Sequence, residues 1–300
     1  MAGLNQEIWT DVLVEDFRTT EEASFLSEIP DESQYVTATR GENDVINLVD
    51  VGVDPEVLIN NTTYPIGVTD QNDTNIPISL DKYQTKATPV SDDEIKYIAY
   101  DKIRLVQRKH KSTVMKVKHA KATHALAPTS HQAETPVIET TGADDGTGRK
   151  QILKADILKL KRAFDKQKIP VTGRILVLSS DHYNDLLEAE NKFEGQLSSE
   201  KTGMLNKMLY GFKVYWYTET PYFNATSKQK LAFTAIPTAN DYQASVAFYA
   251  PDMFRASGQT KNYTDEPNTQ TQKWMYNIRH NYVVLPRKTR AYGAIISLAV

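Results

Sequence analysis

From Ser91 to Pro128 the chain runs without a glycine or an internal proline, the residues that most often interrupt a helix. Ser91 and Glu94 stand at capping-box spacing, Asp92 and Asp93 add acid to the first turn, and Pro89 lies just upstream, so the start of a helix is well specified. Ile95, Ala99, Ile103, Val106, Val114, Val117 and Ala120 then follow in three- and four-residue steps along one stripe. Helical from Ser91 to His124, this rod spans roughly 50 Å. A compact enzyme has little use for such a beam, whereas a wide, thin subunit does.

Two segments ahead of the rod lack an interior of their own. Ile8, Trp9, Val12, Leu13 and Phe17 fall at helical spacing between Asn5 and Phe17, and a polar stretch through Pro30 and Ser33 follows. A helix this short is marginal in water and must lay its apolar stripe on something else, with another subunit as candidate host. Between Glu42 and Val90 the period changes to two, most clearly where Ile76, Ile78 and Leu80 alternate with Asn75, Pro77, Ser79 and Asp81. "DVINLVDVGVD" and "PEVLIN" add strand-like runs, and "VTDQNDTN" reads as the turn between two arms of a long β-ribbon. Pro65, Pro77, Asp81 and Lys82 are not residues of a buried central sheet, and a two-stranded ribbon is marginal alone. The ribbon is expected to project from the body and to be stabilised by a neighbour.

After a loop containing "GADDGTGRK", a second amphipathic helix is predicted from about Ile152 to Lys166, then a strand in "GRILVLSS" and a helix in "DHYNDLLEAENKF". "MLNKMLYGFKVYWYTETP" reads as a helix-to-strand step turning at Gly211, and "WMYNIRHNYVVLP" and "RAYGAIISLAV" are strand-like. The class is α+β. With 300 residues, 40% apolar and 24% charged, and a mean hydropathy of -0.49, the chain has material for one large or two modest cores and too little for a membrane span. The absence of cysteine excludes disulfides, thiolate catalysis and cysteine-ligated metal sites. The amino terminus has neither the basic cluster nor the apolar run of an export signal.

No catalytic, cofactor or metal constellation emerges. His110, His119, His124 and His131 crowd one region, but their spacings miss the i, i+4 pair of helical zinc sites and no acidic partner accompanies them. Ser180, Asp181 and His182 are consecutive, so their side chains diverge, and helix capping explains them better than a hydrolase relay. "GTGRK" lacks the P-loop spacing, and "ADDGTG" lacks the alternating carboxylates of a calcium loop. Glu188 and Glu190 are two apart on a helix and face different directions.

Charge is uneven. The formal net charge is -3, yet from Lys102 to Lys121 there is no acidic residue and eight basic ones: Lys102, Arg104, Arg108, Lys109, Lys111, Lys116, Lys118 and Lys121. A solvated helix face is one reading; contact with a nucleic-acid backbone, through Arg104, Arg108, Lys109, Lys111, Lys116 and Lys118, is the other. The span has no aromatic residue, which argues against stacking on single strands.

"LKRAFDKQKIPVTGRILVLSSDHYNDLL" from Leu160 to Leu187, "LYGFKVYWYTETP" from Leu209 to Pro221, and "SVAFYAPDMFRAS" from Ser245 to Ser257 are similar to motifs of tailed-bacteriophage major capsid proteins of the HK97-type fold. The order of parts, arm, ribbon, long helix, α/β unit and returning strands, resembles that family over nearly the whole chain. The resemblance implies an N-terminal arm at 1–40, a β-hairpin E-loop at 41–90, a peripheral (P) domain with its spine helix at 91–170, an axial (A) domain at 171–270, and P-domain return strands at 271–300. It also implies homo-hexamers and homo-pentamers forming an icosahedral shell around double-stranded DNA, a rounder precursor that expands, and portal and decoration partners. The arm begins almost at Met1, so a separate scaffolding protein is expected, or a chain already processed. Inter-subunit contacts are expected at Ile8, Trp9, Val12, Leu13, Phe17, Ile76, Ile78, Leu80 and Lys82. The location implied is the virion, assembled in the host cytoplasm. An α/β enzyme, a soluble nucleic-acid-binding protein and a tail-tube or decoration protein are the rival readings.

Overall fold

The computed structural model describes residues 23–38, 44–50, 74–91, 102–189, 197–199, 204–205, 208–267 and 272–300. The expected arm residues Ile8, Trp9, Val12, Leu13 and Phe17 lie outside them, as does the stretch 92–101.

At the root of the ribbon, β1 (Val36–Ala38), β2 (Asp44–Asp50) and β3 (Thr74–Ser79) form an antiparallel sheet in that order. Asp50 pairs with Thr74 and Val45 with Ser79, so Thr74 and Asn75, expected in the turn, belong to the strand. The ribbon is also three-stranded at its root rather than two. β4 (Asp81–Gln84) and β5 (Thr88–Ser91) leave the ribbon and pair with the body. Ser91, expected to cap the rod, is instead the last residue of β5, opposite Lys273; the capping partner Glu94 lies outside the described residues.

The rod is helical from Lys102 to Ala125 (α1), 24 residues or about 36 Å. Its buried face follows residues such as Val106, His110, Val114, Lys118 and Ala122, in four-residue steps. Val117, expected on the apolar stripe, is 41% exposed, because the stripe drawn through valines and alanines crosses the true one. Lys111, Lys118 and His119 are buried on the inner face. α1 lies on a second sheet formed by β4, β5, β14 (Met253–Asp265) and β15 (Lys273–Pro286), where Val106, Val114 and Met115 pack with Val90, Tyr276 and Ile278.

The α/β unit is built on a seven-stranded sheet. In spatial order its strands are β6 (Val137–Glu139), β16 (Tyr292–Ile296), β13 (Ser245–Tyr249), β7 (Arg174–Leu178), β10 (Lys213–Trp216), β9 (Met204–Leu205) and β8 (Leu197–Ser199). All five residues of β7 are buried, and Ile175 to Leu178 form the unbroken apolar run of a central strand. Ile175 and Val177 enter one core with Phe25, Leu26, Leu126 and Phe248, while Leu176 and Leu178 enter another. That second core is completed by α2 (Lys154–Lys166) through Ile157, Leu160 and Phe164, and by α3 (Ser180–Ala189) through Leu186. β11 (Tyr222–Asn224) and β12 (Asp241–Gln243) form a separate two-stranded pair.

Two expectations change here. Met204 and Leu205 are a short strand antiparallel to β10, not a helix, because they extend the sheet edge. The expected boundaries at 170 and 270 also cut across the sheets. β14 is hydrogen-bonded along most of its length to β15, whereas β6 and β16 belong with β13 and β7.

Candidate assembly surfaces

The ribbon is fixed to the body at one buried carboxylate. Asp44 is 8% exposed; its Oδ2 accepts from the Gln259 amide at 2.9 Å and from Asn281 Nδ2 at 2.8 Å. The Gln259 amide is free to turn inward because β14 shifts register between Ser257 and Thr260, and such a bulge re-aims the backbone. Gly258 within it is required by space: a Cβ there would stand 2.2 Å from Asp44 Oδ2. Beside this joint Ile46, Leu80, Phe254, Ala256 and Val283 form an apolar cluster, with Ile78 packed against it.

These contacts correct part of the expected interface. Leu80, expected to meet another subunit, is 3% exposed within its own, because it follows β3 directly and turns into the root cluster. Ile78 is half-buried on the same cluster, so both residues serve to anchor the ribbon. Lys82 stands in β4 opposite Asn281, on the body sheet and not on the ribbon. Ile76 sits farther out along β3, opposite Leu48.

The seam under α1 is rich in polar groups. His110 Nδ1 and Nε2 lie 2.7 and 2.8 Å from the hydroxyls of Thr85 and Thr88, and its ring meets Tyr276 edge-on. This histidine therefore bridges the rod to the break between β4 and β5, and burial holds its pKa down. Lys118 Nζ sits 4.4 Å above the Tyr282 ring. His119 is fully buried, neither ring nitrogen has a hydrogen-bond partner among the described residues, and burial with the adjacent Lys118 charge holds its pKa down to about 3. His280, on β15, is likewise lowered to about 3. The outer face exposes Arg104, Arg108, Lys109 and Lys116. Of the six basic residues expected to face a genome, Lys111 and Lys118 are thus turned into the subunit, since the helix divides them between opposite faces.

At its carboxyl end α1 is latched to the 219–235 segment. Lys230 Nζ donates to the carbonyls of His124 and Ala127 at 2.8 and 2.6 Å, supplying positive charge where a helix terminus needs it. Burial lowers the Lys230 pKa to about 8. His124 Nε2 donates to the Leu231 carbonyl at 2.8 Å and its ring meets Phe233. The latch frames an apolar groove beside the exposed Val117.

The motif residues of the α/β unit are structural. Arg174, 1% exposed, donates to the carbonyls of Pro170 and Ile169, pairs with Asp165, and lies over the rings of Phe164 and Phe212. Gly173 before it has φ +95°. His182 is sealed between the hydroxyls of Ser245 at 2.6 Å and Ser297 at 2.8 Å, which leaves no relay with Ser180 and Asp181. Among the described residues no cluster of ligands suited to a metal ion is found, and no helix is long and apolar enough to cross a membrane.

A long helix laid on one sheet, a ribbon rooted beside it and an α/β unit that shares a core with the end of that helix define an HK97-like capsid subunit. Residues 73–296 match the family described as phage capsid protein, and the chain belongs to that family. The fold is similar to the capsid of Ralstonia phage GP4, with a TM-score of 0.64, 10% identity, and coverage of 94% of this chain and 89% of that one. It is also similar to a chain titled Mycobacterium phage Che8, with a TM-score of 0.58, 14% identity and 90% of each chain covered. The capsid of a native GTA particle gives a TM-score of 0.61 at 12% identity, covering 94% of this chain and 91% of that one. No curated protein matches the sequence. Family and fold together make this a major capsid protein of a phage head, a structural role.

Proposed function

We propose that copies of this chain gather as homo-hexamers and homo-pentamers that close into an icosahedral head around double-stranded DNA. The observation that most supports this is the ribbon. Its root is fixed by Asp44 and Leu80, yet β3 ends the β1–β2–β3 order with one side unpaired among the described residues. An unpaired edge is a hazard in a solitary molecule and a joint in an assembly. Many modest contacts, repeated by symmetry, stabilise a shell while each stays weak enough to correct.

In this reading the arm, expected over 1–40 but buried in its own subunit at Ala23, Phe25, Leu26 and Ile29, ties neighbours together through Ile8, Trp9, Val12, Leu13 and Phe17, and the ribbon does so through Ile76. α1 with β4, β5, β14 and β15 is the peripheral domain, and the seven-stranded sheet with α2 and α3 is the axial domain. α1 is the strut that keeps the subunit stiff. Arg104, Arg108 and Lys109, with Lys116, offer non-specific contact to packaged DNA. A separate scaffolding protein, a portal and a decoration protein are the further partners, and assembly takes place in the host cytoplasm before the shell becomes the virion. Electron microscopy of the purified, overexpressed protein tests the proposal. Closed shells are expected; tubes or dispersed monomers under assembly conditions would overturn it.

A further inference from the structure

We propose that the end of α2 and the β15–β16 loop form one cationic surface that holds the phosphate backbone of double-stranded DNA. This rests on the head reading and adds to it a contact surface on the α/β unit, apart from the cations of α1.

The surface is assembled from two distant pieces of chain. From Lys154 to Lys168 there are six basic residues against two acidic ones, and residues 287–290 read Arg, Lys, Thr, Arg. Gln167 joins the two pieces. Its Oε1 accepts from the Ala291 amide at 3.2 Å, and its Nε2 donates to the carbonyls of Ala133 and Glu134 at 3.3 and 2.9 Å. Lys166 and Lys168 flank this joint on one side and Arg290 precedes it on the other. Arg162 stands one helical turn before Lys166, on the same face, and these residues are exposed, as are all of 287–290. Both pieces turn at the joint with left-handed backbone, φ +56° at Lys168 and +68° at Ala291. The residue that follows a helix end in that conformation is most often glycine; here it carries an ammonium group.

The cations are uncommitted. Both acids of this stretch are occupied, Asp156 by Lys159 and Asp165 by Lys161 and Arg174. Arg287 is paired with Glu32, and Arg290 lies 3.8 Å from Asp252. Arg162, Lys166, Lys168 and Lys288 make no ion pair among the described residues, and the acid that adjoins Gln167 is Glu134. On the outer face of α1, by contrast, Lys116 is paired with Glu219 and Arg104 is engaged.

Polarity selects the partner. The buried centre of a protein–protein interface is apolar and poor in charge, whereas no large apolar side chain is exposed among the described residues of 154–168 and 286–291. A phosphate backbone needs only positive charge held at the surface, because the gain comes from release of its counterions. Such contacts position a duplex without reading its sequence.

The test removes the four uncommitted charges together, as Arg162→Gln, Lys166→Gln, Lys168→Gln and Lys288→Gln. The full chain is titrated against a fluorescent random-sequence duplex of about 30 base pairs over a range of salt concentrations. Affinity at low salt is expected to fall at least about ten-fold relative to the parent, and the slope of log K against log salt to flatten by about three. A control removing equal charge elsewhere, Lys86→Gln, Lys228→Gln, Lys261→Gln and Lys273→Gln, should change affinity less than about two-fold, and both variants should melt with the parent. Parent-like binding by the first variant, an equal loss in the control, or no duplex binding by the parent would overturn the surface. So would capture of poly-glutamate more tightly than duplex and lost in the same variant, which would make it a docking site for acidic protein. Microscopy of the same samples judges the head reading separately: shells without a charge effect leave that reading standing, and a charge effect without shells leaves only the surface.

Discussion

The seven-stranded sheet and the seam under α1 are both buried, but they are buried by different chemistry. In the sheet, β7 contributes Ile175 and Val177 to one apolar core and Leu176 and Leu178 to the other, and its one charged residue, Arg174, is tied to carbonyls, a carboxylate and two rings. In the seam, Gln107, His110, Lys111, Lys118, His119 and His280 are buried alongside a small apolar cluster. The first region is held by packing that any solitary subunit retains. The second is held by particular polar contacts, and at His119 those contacts are missing among the described residues. A shell subunit thus combines a self-sufficient block with a strut whose attachment is more easily disturbed.

The largest effect should come from breaking the block. Phe164 is fully buried and packs edge-on against Phe212 at 5.4 Å, so Phe164→Ala is expected to cost about 3–5 kcal/mol in denaturant unfolding of the subunit. Next is the ribbon joint. Asp44→Ala leaves the Gln259 amide and Asn281 Nδ2 without their shared acceptor and should cost roughly 1–3 kcal/mol. Faster proteolysis confined to the 44–79 region checks it, and Gly258→Ala should have the same phenotype through its clash with the Asp44 carboxylate.

The seam itself separates two histidines. His110→Leu removes two hydroxyl partners and should destabilise by about 1 kcal/mol, whereas His119→Leu removes a buried ring without partners among the described residues and should be neutral or stabilising by a similar amount. Their pH behaviour sharpens the contrast. The folded-state pKa of His119, about 3, lies below the ordinary histidine value, so the unfolded chain binds the proton first as acid is added. Stability is full above pH about 6.5 and falls as pH drops toward 3, and in His119→Leu that decline should be shallower in urea titrations. Smallest is Lys116→Ala: its pair with Glu219 at 2.9 Å is exposed on both sides, and less than about 1 kcal/mol should be lost.

The difference between the regions also explains what could be read from sequence. β7, α2 and α3 were legible because a continuous apolar run and two amphipathic periods each admit one burial pattern. The rod was legible as a helix, but its buried face was misplaced. Val117 looks like core and is exposed, while Lys118 and His119 look like surface and are buried; cation–ring contact with Tyr282 and packing on β15 decide this, and both partners are over a hundred residues away in the chain. Leu80 carried the correct alternation but not its destination, since the partners Phe254 and Val283 come from distant strands. The Asp44 joint had no local signal. Only a bulge at Gly258 and Gln259, invisible without strand register, gives that carboxylate its donors.

Amide hydrogen exchange compared between dilute subunits and assembled particles tests the central claim most directly. Slow exchange is predicted in β7, α2 and the anchored ribbon root β2–β3 in both states, with protection of residues 1–22 appearing only in the particle. Equal, strong protection of residues 1–22 in the solitary subunit would contradict it.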